Sequence, residues 1–334
     1  MSTPPSTDWP GMSGPDPLSP PDEFGQIAEF FRPLTRGDPG AFDLLDDAAV
    51  VTARTGTDLV VTQDALVEGV HFPAGEAPED VAARFFRVNL SDLAAKGAEP
   101  FAWLQTLAWS PEWPLERRRA FAGGLAREAG IFGLTLLGGD TVSTPGPFMA
   151  SGTFLGRCPP GGVIRRSGAR PGDLLLVTGP IGDGWLGLQA VTGALKDPDG
   201  GLARKFRRPE PRLDLRAVLR ACARAAADVS DGLIADARHL ATASGCGVHL
   251  ALEQSPLSEW GKDWLAGSPD EVGARIALAS GGDDYEIVLA AEPAHREVLE
   301  AAGCSVVGVF VDGPSEVLLN GRALDVGPGG WRHA

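Results

Sequence analysis

The sequence predicts an α/β protein built from two α/β units in tandem. Apolar runs typical of buried strands alternate with helix-like segments in both halves of the 334-residue chain. A segment rich in Pro, Gly and Arg, residues 159–171, separates the halves and marks the predicted domain boundary. No apolar run reaches the roughly 18 residues that a membrane span needs, so we expect no membrane partner.

The beginning of the chain is predicted to be a disordered tail, residues 1–21. It is rich in Pro, Ser, Thr and Gly and contains no Lys or Arg. It lacks the basic region and apolar core of a signal peptide, so we expect a cytoplasmic protein. The rest divides into an N-terminal domain at residues 22–158 and a C-terminal domain at residues 159–334.

The N-terminal half begins with a helix at residues 22–34, where apolar side chains recur with helical spacing. Two short strands follow at residues 48–53 and 58–62. A long helix spans residues 78–96, and its apolar face carries Asp92, a costly place for a carboxylate unless it is paired or metal-bound. The remaining elements are strands at residues 101–109, 134–137 and 148–156 and a helix at residues 115–129.

The C-terminal half restarts with a strand at residues 174–178 and a helix after Gly184. A basic segment, residues 204–212, leads to a helix predicted to end near Ala226. The later predicted elements are a helix that ends near residue 244, strands at 248–252, 287–290 and 305–311, and a helix that ends near residue 302.

The formal net charge of −15 predicts repulsion from nucleic acids and anionic membranes. If the ligand is a phosphate ester, a basic patch or bound cations must solve the charge problem locally. The four cysteines are far apart and form no CxxC pair, which argues against zinc and for reduced thiols.

Carboxylates recur where apolar runs end or on an apolar face, mostly beside Gly or small residues. One Asp in such a place is typical of a helix or turn cap, but the repeated placement indicates a shared cleft. The set comprises Asp46, Asp47, Asp64, Asp92, Asp140, Asp228, Asp231, Asp283 and Asp284. Oxygen ligands without a Cys or His cluster favour Mg²⁺, Mn²⁺ or Ca²⁺. We therefore predict a multi-metal phosphoryl-transfer site.

The stretch from residue 59 to residue 72 is the centre of this prediction. An apolar strand ends in Thr62-Gln63-Asp64, and His71 follows seven residues after the carboxylate. No P-loop, GxGxxG fingerprint or protein-kinase motif set is present. Gly139 and Gly282 would let backbone amides approach phosphates. Arg166 is either a phosphate contact or a solvated loop arginine.

In chain order these motifs resemble those of the thiamine-monophosphate kinase family. This family lies within the superfamily of aminoimidazole ribonucleotide synthetase, selenophosphate synthetase and the hydrogenase maturation protein HypE. The resembling segments are Asp46-Asp47-Ala48-Ala49-Val50, Thr62-Gln63-Asp64, Gly69-Val70-His71-Phe72, Asn89-Leu90-Ser91-Asp92, Gly97-Ala98-Glu99-Pro100, Gly138-Gly139-Asp140-Thr141, Arg166-Ser167-Gly168-Ala169-Arg170-Pro171-Gly172-Asp173, Asp228-Val229-Ser230-Asp231-Gly232-Leu233 and Gly281-Gly282-Asp283-Asp284-Tyr285-Glu286.

The resemblance implies Mg²⁺-assisted transfer of a phosphoryl group from ATP to the phosphate of thiamine monophosphate, which gives thiamine diphosphate. It implies two α/β domains of the aminoimidazole ribonucleotide synthetase-like type. The N-terminal domain, which binds ATP and Mg²⁺, would form a homodimer through its sheet, and the C-terminal domain would be mixed α/β.

The resemblance also implies roles for individual residues. The implied ligands of several Mg²⁺ ions are Asp47, Thr62, Gln63, Asp64, Asp92, Asp140, Asp228 and Asp231. The implied ATP contacts are Gly139, Asp140, Arg166 and Ser230, and the implied substrate contacts are His71, Asp283 and Trp331. The predicted catalytic residues are Asp64, Asp92 and Asp231.

Three single residues depart from the family pattern: Leu45 stands in place of Gly, Gln63 in place of Thr and Asp283 in place of Glu. The C-terminal Gly330-Trp331-Arg332-His333-Ala334 also departs from the usual Gly-Tyr-Asp-His-Phe. Two rival enzymes of the superfamily are weighed. Selenophosphate synthetase needs a reactive Cys in an N-terminal loop, but no Cys precedes Cys158. HypE ends in a Cys, but this chain ends in Ala334. A third alternative is a non-catalytic protein that binds nucleotide or cations.

Overall fold

The structure is a computed structural model that describes residues 21–46, 48–327 and 329–331. These residues form two β-sheets, each with its own helices, which confirms the predicted α/β class. The predicted tail lies outside the described residues, as does Asp47. The domain limits predicted at residues 158 and 159 stay a prediction. Within the described ranges, every helix is too short or too polar to span a bilayer.

The strands of the described residues are numbered in chain order. They are β1 (Asp58–Val67), β2 (Glu99–Trp109), β3 (Thr135–Ser143), β4 (Met149–Cys158), β5 (Leu174–Val177), β6 (Ala223–Asp228), β7 (Gly247–Ala251), β8 (Ile287–Ala291), β9 (Ser305–Val311), β10 (Glu316–Leu319) and β11 (Arg322–Leu324).

The α-helices are α1 (Glu23–Gln26), α2 (Pro78–Ala95), α3 (Leu115–Phe132), α4 (Asp183–Val191), α5 (Gly201–Arg207), α6 (Arg216–Cys222), α7 (Leu233–Ser244), α8 (Glu259–Ala266), α9 (Glu271–Ser280) and α10 (Arg296–Ala301). A π-helical turn at Ile27–Phe31 and a 3₁₀ turn at Arg32–Thr35 continue α1. The helix predicted at residues 22–34 is therefore helical but changes type twice.

The first sheet has the strand order β1-β4-β2-β3, and helices α2 and α3 cover one of its faces. Phe86 of α2 packs against Trp103 of β2 with ring centroids 4.8 Å apart. Among the described residues, the opposite face is covered only at one end, where Ala41 packs in a small cluster. Leu59 and Val61 on β1 stay 53% and 55% exposed there. We call this surface the outer face of the first sheet.

The second sheet has the order β11-β10-β7-β9-β5-β8-β6 and is covered on both faces. Successive strand residues point to opposite faces, so alternate positions enter different clusters. Leu175 and Val177 of β5 pack with α7, whereas Leu176 between them packs with Leu219 of α6 and Leu299 of α10. Strands buried on both faces are predicted by the continuous apolar runs of the sequence.

Helix α2 joins the two halves. Its last residues, Ala94 and Ala95, pack into the cluster on one face of the second sheet. The basic segment at residues 204–212 pairs with acids around the start of α2: Arg207 with Glu76 at 2.5 Å and Arg208 with Asp80 at 2.7 Å. The segment predicted as a basic linker therefore holds the two halves together.

The strand predicted at residues 48–53 is wrong, because no strand forms there. Val50 and Val51 are exposed, and the N–H of Val50 donates to the carbonyl of Gly40 rather than to a neighbouring strand. Apolar character alone does not make a strand, because a strand also needs a neighbouring strand to pair with.

The helix predicted to end near Ala226 is also wrong. It ends at Cys222, and the alanine-rich stretch that follows is strand β6, paired with β8. Alanine favours helix in isolation, but small buried side chains also suit a strand packed on both faces, and tertiary contacts outweigh propensity. Helices α5, α8 and α9, strands β10 and β11, and the extension of β3 to Ser143 are not predicted by the sequence.

Candidate active site

A cleft of about 380 Å³ lies between the two halves and gathers many of the predicted site residues. Those that line it are Asp64, His71, Asp92, Arg166, Asp228, Ser230, Asp231, Asp283 and Trp331. They come from β1, from α2, from the loops that flank the second sheet and from the end of the described chain. The structure thus brings together residues that are up to 267 positions apart (331 − 64).

The first half contributes a hydroxyl and two carboxylates. Alternation along β1 turns Thr62 and Asp64 toward α2, where Asp92 lies. The Thr62 hydroxyl donates a hydrogen bond to Asp92 Oδ2 at 2.5 Å. The backbone N–H of Asp64 donates to Asn89 Oδ1 at 3.0 Å. A side chain of α2 thus accepts the hydrogen bond of a backbone N–H at the free edge of β1. Asp92, predicted as an anomaly on an apolar helix face, is therefore paired.

The second half contributes the end of β6 and the loop that follows. Asp228 is only 4% exposed, and the Ser91 hydroxyl of α2 beside it donates to the carbonyl of Tyr285 at 3.4 Å. Asp236, buried in the first turn of α7, accepts from the backbone N–H groups of Asp231 and Gly232 at 3.2 Å each. This carboxylate was not predicted, and it fixes the loop that presents Asp231.

The carboxylates repel one another in the absence of a cation. Burial and then the nearby charge of Asp92 raise the pKa of Asp64 to about 6, although Asp64 stays open to the cleft. Burial, followed by Asp92 and Asp236, raises the pKa of Asp228 well above its ordinary value. A divalent cation would remove both costs, and the all-oxygen donor set fits Mg²⁺.

Four of the predicted ligands, Asp64, Asp92, Asp228 and Asp231, line the cleft without forming a closed cage. Among the described residues, the trio whose ligand atoms lie within 4.8 Å of one another is Asp231, Asp236 and His239. The Asp236 carboxylate, whose Oδ1 lies 3.4 Å from His239 Nδ1, accepts from the imidazole and raises the pKa of His239. An open arrangement suits Mg²⁺, which keeps waters and binds through a few carboxylates together with phosphate oxygens.

Lys96 supplies a positive charge that the sequence analysis missed. Its Nζ donates to the carbonyl of Ala226 at 2.7 Å, across the junction of the two halves. Burial lowers the pKa of Lys96, and the charge of Asp228 opposes that effect. The available signal was its position, because Lys96 follows Asp92 by four residues on the same helix face.

His71 and Asp283, which are predicted to contact substrate, both line the cleft around Arg84, and we call this part of the cleft its substrate end. The backbone N–H of Val67 donates to His71 Nδ1 at 3.0 Å, so the neutral ring carries its proton on Nε2. Asp283 has φ 62° in a tight turn after Gly282, whose φ is 72°. Arg84, which was not predicted, is buried beside them and donates to Asp283 Oδ1 at 2.5 Å.

One member of the carboxylate set holds a turn instead of facing the cleft. Asp284 accepts from the backbone N–H groups of Gly182 and Gly184 at 2.8–2.9 Å. Burial raises the pKa of Asp284 well above its ordinary value. The turn-cap interpretation was therefore right for this Asp.

Three predicted residues lie away from the cleft. Gly139 and Asp140 line a second cavity of about 290 Å³, between β3 and the segment that contains Asp46. Asp140 shares its row with Thr106 and its side chain lies on the outer face of the first sheet, three strands from β1 and so roughly 14 Å away. Gln63 also points to the outer face, where its Nε2 donates to Ser151 Oγ at 3.2 Å.

Comparison with known proteins defines the class first. The family model described as "AIR synthase related protein, N-terminal domain" matches residues 45–158, and the model described as "AIR synthase related protein, C-terminal domain" matches residues 170–319. The two sheets thus correspond to a pair of AIR synthase related domains.

Similar proteins then narrow the class. A thiamine-monophosphate kinase of Caulobacter vibrioides is 52% identical over 322 residues, which cover 94% of this chain and 92% of the relative. The solved thiamine-monophosphate kinase of Stenotrophomonas maltophilia K279a is 35% identical with a TM-score of 0.75, over 84% of this chain and 90% of that one. The structure of AaThiL complexed with AMPPCP and TMP is 27% identical with a TM-score of 0.76, over 85% and 89%. The chain therefore belongs to the thiamine-monophosphate kinase family.

Proposed function

We propose that this chain phosphorylates thiamine monophosphate with ATP and releases thiamine diphosphate and ADP. The observation that carries the proposal is the acidic cleft between two AIR synthase related domains, in a chain that is 52% identical to a thiamine-monophosphate kinase. The complex of AaThiL with AMPPCP and TMP supports this pair of substrates. The synthetase and binding-protein alternatives are not favoured by these relatives.

The chemistry agrees with the residues in the cleft. An oxygen of the substrate phosphate forms a bond to the γ-phosphorus, the bond from that phosphorus to the β-phosphate oxygen breaks, and ADP leaves with the electron pair. The attacking phosphate oxygen is already ionised near neutral pH, so no general base is needed. The difficulty is to bring two polyanions together, which positioning and positive charge accomplish.

Several Mg²⁺ ions are part of the proposal. Asp64, Asp92, Asp228 and Asp231 would hold them from the cleft, and Asp47, Thr62, Gln63 and Asp140 are the further proposed ligands. When bound, the cations neutralise phosphate charge and carboxylate repulsion. The protein's own contribution is to hold the carboxylates in register, through the Thr62 hydroxyl on Asp92 and the Asp236 carboxylate under the Asp231 loop.

The remaining contacts divide between the two substrates. Arg166 and Ser230 in the cleft, with Gly139 and Asp140, would bind ATP. His71, Asp283 and Trp331 would bind thiamine monophosphate. The backbone N–H of Trp331 donates to the carbonyl of Asp231 at 3.0 Å, while the residue stays 59% exposed. Its ring is thus held at the mouth of the cleft, where an aromatic substrate ring would stack.

A homodimer through the outer face of the first sheet is also part of the proposal. That face exposes Leu59 and Val61, and it carries Gln63 and Asp140 away from the cleft of their own chain. A second copy packed there would bury the apolar side chains, and Gln63 and Asp140 would then face the partner chain. A cytoplasmic location completes the proposal, since ATP is the co-substrate and the four cysteines are free thiols.

The test is an assay of the purified chain with ATP and thiamine monophosphate, with thiamine diphosphate and ADP measured together. We expect equimolar products that depend on both substrates and on Mg²⁺, with turnover abolished by EDTA and restored by added Mg²⁺. ADP formed only with selenide or aminoimidazole precursors would favour another synthetase of the superfamily. Mg²⁺-dependent nucleotide binding without either product would favour a non-catalytic protein.

A further inference from the structure

One buried guanidinium contacts three separate segments that build the substrate end of the cleft. Arg84 lies on α2 and is 3% exposed. Its Nε donates to the carbonyl of His71 at 3.2 Å and its Nη1 to the carbonyl of Phe206 at 2.6 Å. Its Nη2 donates to Asp283 Oδ1 at 2.5 Å. The acceptors belong to the loop after β1, to α5 and to the loop before β8.

The surroundings of Arg84 leave it little freedom to do anything else. Its Cζ lies 4.1 Å from the centroid of the Phe206 ring and 5.7 Å from that of Tyr285. The planar group is thus fixed by stacking as well as by three hydrogen bonds, a geometry that a lysine ammonium does not reproduce. Two of its partners, His71 and Asp283, are predicted substrate contacts.

Asp283 is oriented by donors that all use one of its oxygens. Arg84 and the hydroxyl of Tyr285, at 3.2 Å, both donate to Oδ1. Among the hydrogen bonds of the described residues, none reaches Oδ2, and Asp283 lines the cleft. This leaves an anionic acceptor for the ligand, suited to the N–H groups and the positive charge that thiamine monophosphate carries.

We propose that Arg84 is a positioning residue that fixes the substrate end of the cleft for thiamine monophosphate. It orients Asp283 Oδ2 and anchors the loop that presents the His71 ring, and it makes no contribution to ATP binding. This inference rests on the proposed function. It also explains how the shorter Asp283 serves in place of Glu, because the hydrogen bond from Arg84 Nη2 fixes the position of the short carboxylate in the cleft.

The experiment compares Arg84→Lys with Arg87→Lys. Arg87 lies on the same helix and also bridges the two halves, through Glu210 at 2.9 Å, and it pairs with Glu128 of α3 at 2.8 Å, but it does not line the cleft. We expect Arg84→Lys to raise KM for thiamine monophosphate by about tenfold or more, the size of one charge-assisted hydrogen bond, with KM for ATP within about twofold of wild type. Arg87→Lys should lower Tm without changing either KM.

The outcomes separate this inference from the proposed function. Wild-type turnover together with an unchanged KM for thiamine monophosphate in Arg84→Lys overturns the inference alone, and leaves Arg84 as a structural residue. A wild-type chain without turnover overturns the proposed function and this inference with it. If Arg84→Lys does not fold, Tyr285→Phe removes the other donor to Oδ1, and an unchanged KM for thiamine monophosphate there would overturn the inference equally.

Discussion

The two sheets of this protein differ in the number of faces that the chain itself covers. The second sheet is covered on both faces, so that Leu176 and Leu175 of one strand enter different clusters. The first sheet is covered on one face by α2 and α3, while Leu59 and Val61 of β1 remain exposed on the other. Exposed apolar positions in strict alternation on an edge strand are typical of a surface that another chain covers.

The two sheets differ in how completely a single chain covers their faces. The central strands β5 and β8 of the second sheet are buried within one chain, and the loop before β8 holds the structural Asp284 turn. The first sheet carries proposed metal ligands on both faces: Asp64 toward the cleft and Asp140 toward the outer face. The predictions below set a change in one sheet against a change in the other.

The largest effect is expected from a charge placed inside the second sheet. Leu289 is fully buried on β8, between β5 and β6, so Leu289→Asp buries an unpaired carboxylate and should cost about 4 kcal/mol or more in the free energy of unfolding. We expect no folded protein by circular dichroism. Val61→Asp on the first sheet should give a wild-type spectrum. A folded Leu289→Asp protein would contradict the assignment of two covered faces.

The next effect contrasts the carboxylates Asp64 and Asp284. Asp64→Asn should cut turnover by about a hundredfold or more at unchanged fold, because the cleft loses a charge that the cations need. Asp284→Asn should instead lower the free energy of unfolding by about 1–3 kcal/mol, through weakened acceptance from Gly182 and Gly184. Steady-state kinetics and urea titrations of both variants check this. Near-normal turnover in Asp64→Asn would contradict the proposed multi-metal site.

A smaller effect is expected on assembly. Val61→Asp places a charge on the outer face of the first sheet, where a second copy is proposed to pack. We expect the dimer dissociation constant to rise by about a hundredfold, the cost of roughly 2–3 kcal/mol for a desolvated charge at an interface. Sedimentation velocity over a dilution series measures it, with Val298→Asp on exposed α10 as the control. A wild-type chain that stays monomeric at high concentration would contradict the proposed dimer through the outer face of the first sheet.

The smallest effect concerns pH in the metal-free protein. The pKa of Asp64 is raised to about 6 by burial and Asp92, so the folded state holds this proton more tightly than the unfolded state. Its contribution therefore favours folding below pH 4 and is lost as pH rises through about 6. With EDTA present, the urea midpoint of Asp64→Asn should fall less between pH 5 and pH 7.5 than that of the wild type. An equal fall in both proteins would contradict it.

The sequence predicts the strands of the first sheet better than those of the second, since β1 to β4 are each predicted at least in part, whereas β6, β10 and β11 are not. Continuous apolar runs such as Leu174–Val177 predict strands buried on both faces, and they form. The helix prediction for the alanines of β6 was wrong because helix propensity is a local property, whereas the burial of these alanines beside β8 is set by the tertiary fold. The strand prediction at Val50 and Val51 failed because this run pairs with no strand of the described chain.

The candidate site also contains some residues that the sequence predicts and others that it does not. The residues Asp64, Asp92 and Asp228 were predicted because each is a carboxylate at the end of an apolar run or on an apolar face, and the fold brings them into one cleft. Arg84 and Lys96 were not predicted, because a basic residue on a helix looks like a solvated one until the second half packs over it. The side on which Asp140 would point depended on β3 running on to Ser143.

Helix α2 has one more consequence for how this molecule meets its ligands. It carries Asp92 and Arg84 in the cleft, and its end is packed into the second sheet by Ala94, Ala95 and Lys96. The two walls of the cleft are therefore joined by one helix that packs against both sheets, and that packing sets their relative placement. The entropy lost in bringing the walls together is lost during folding, before any ligand arrives. Ligand capture is left to loops and side chains at the rim, such as Trp331.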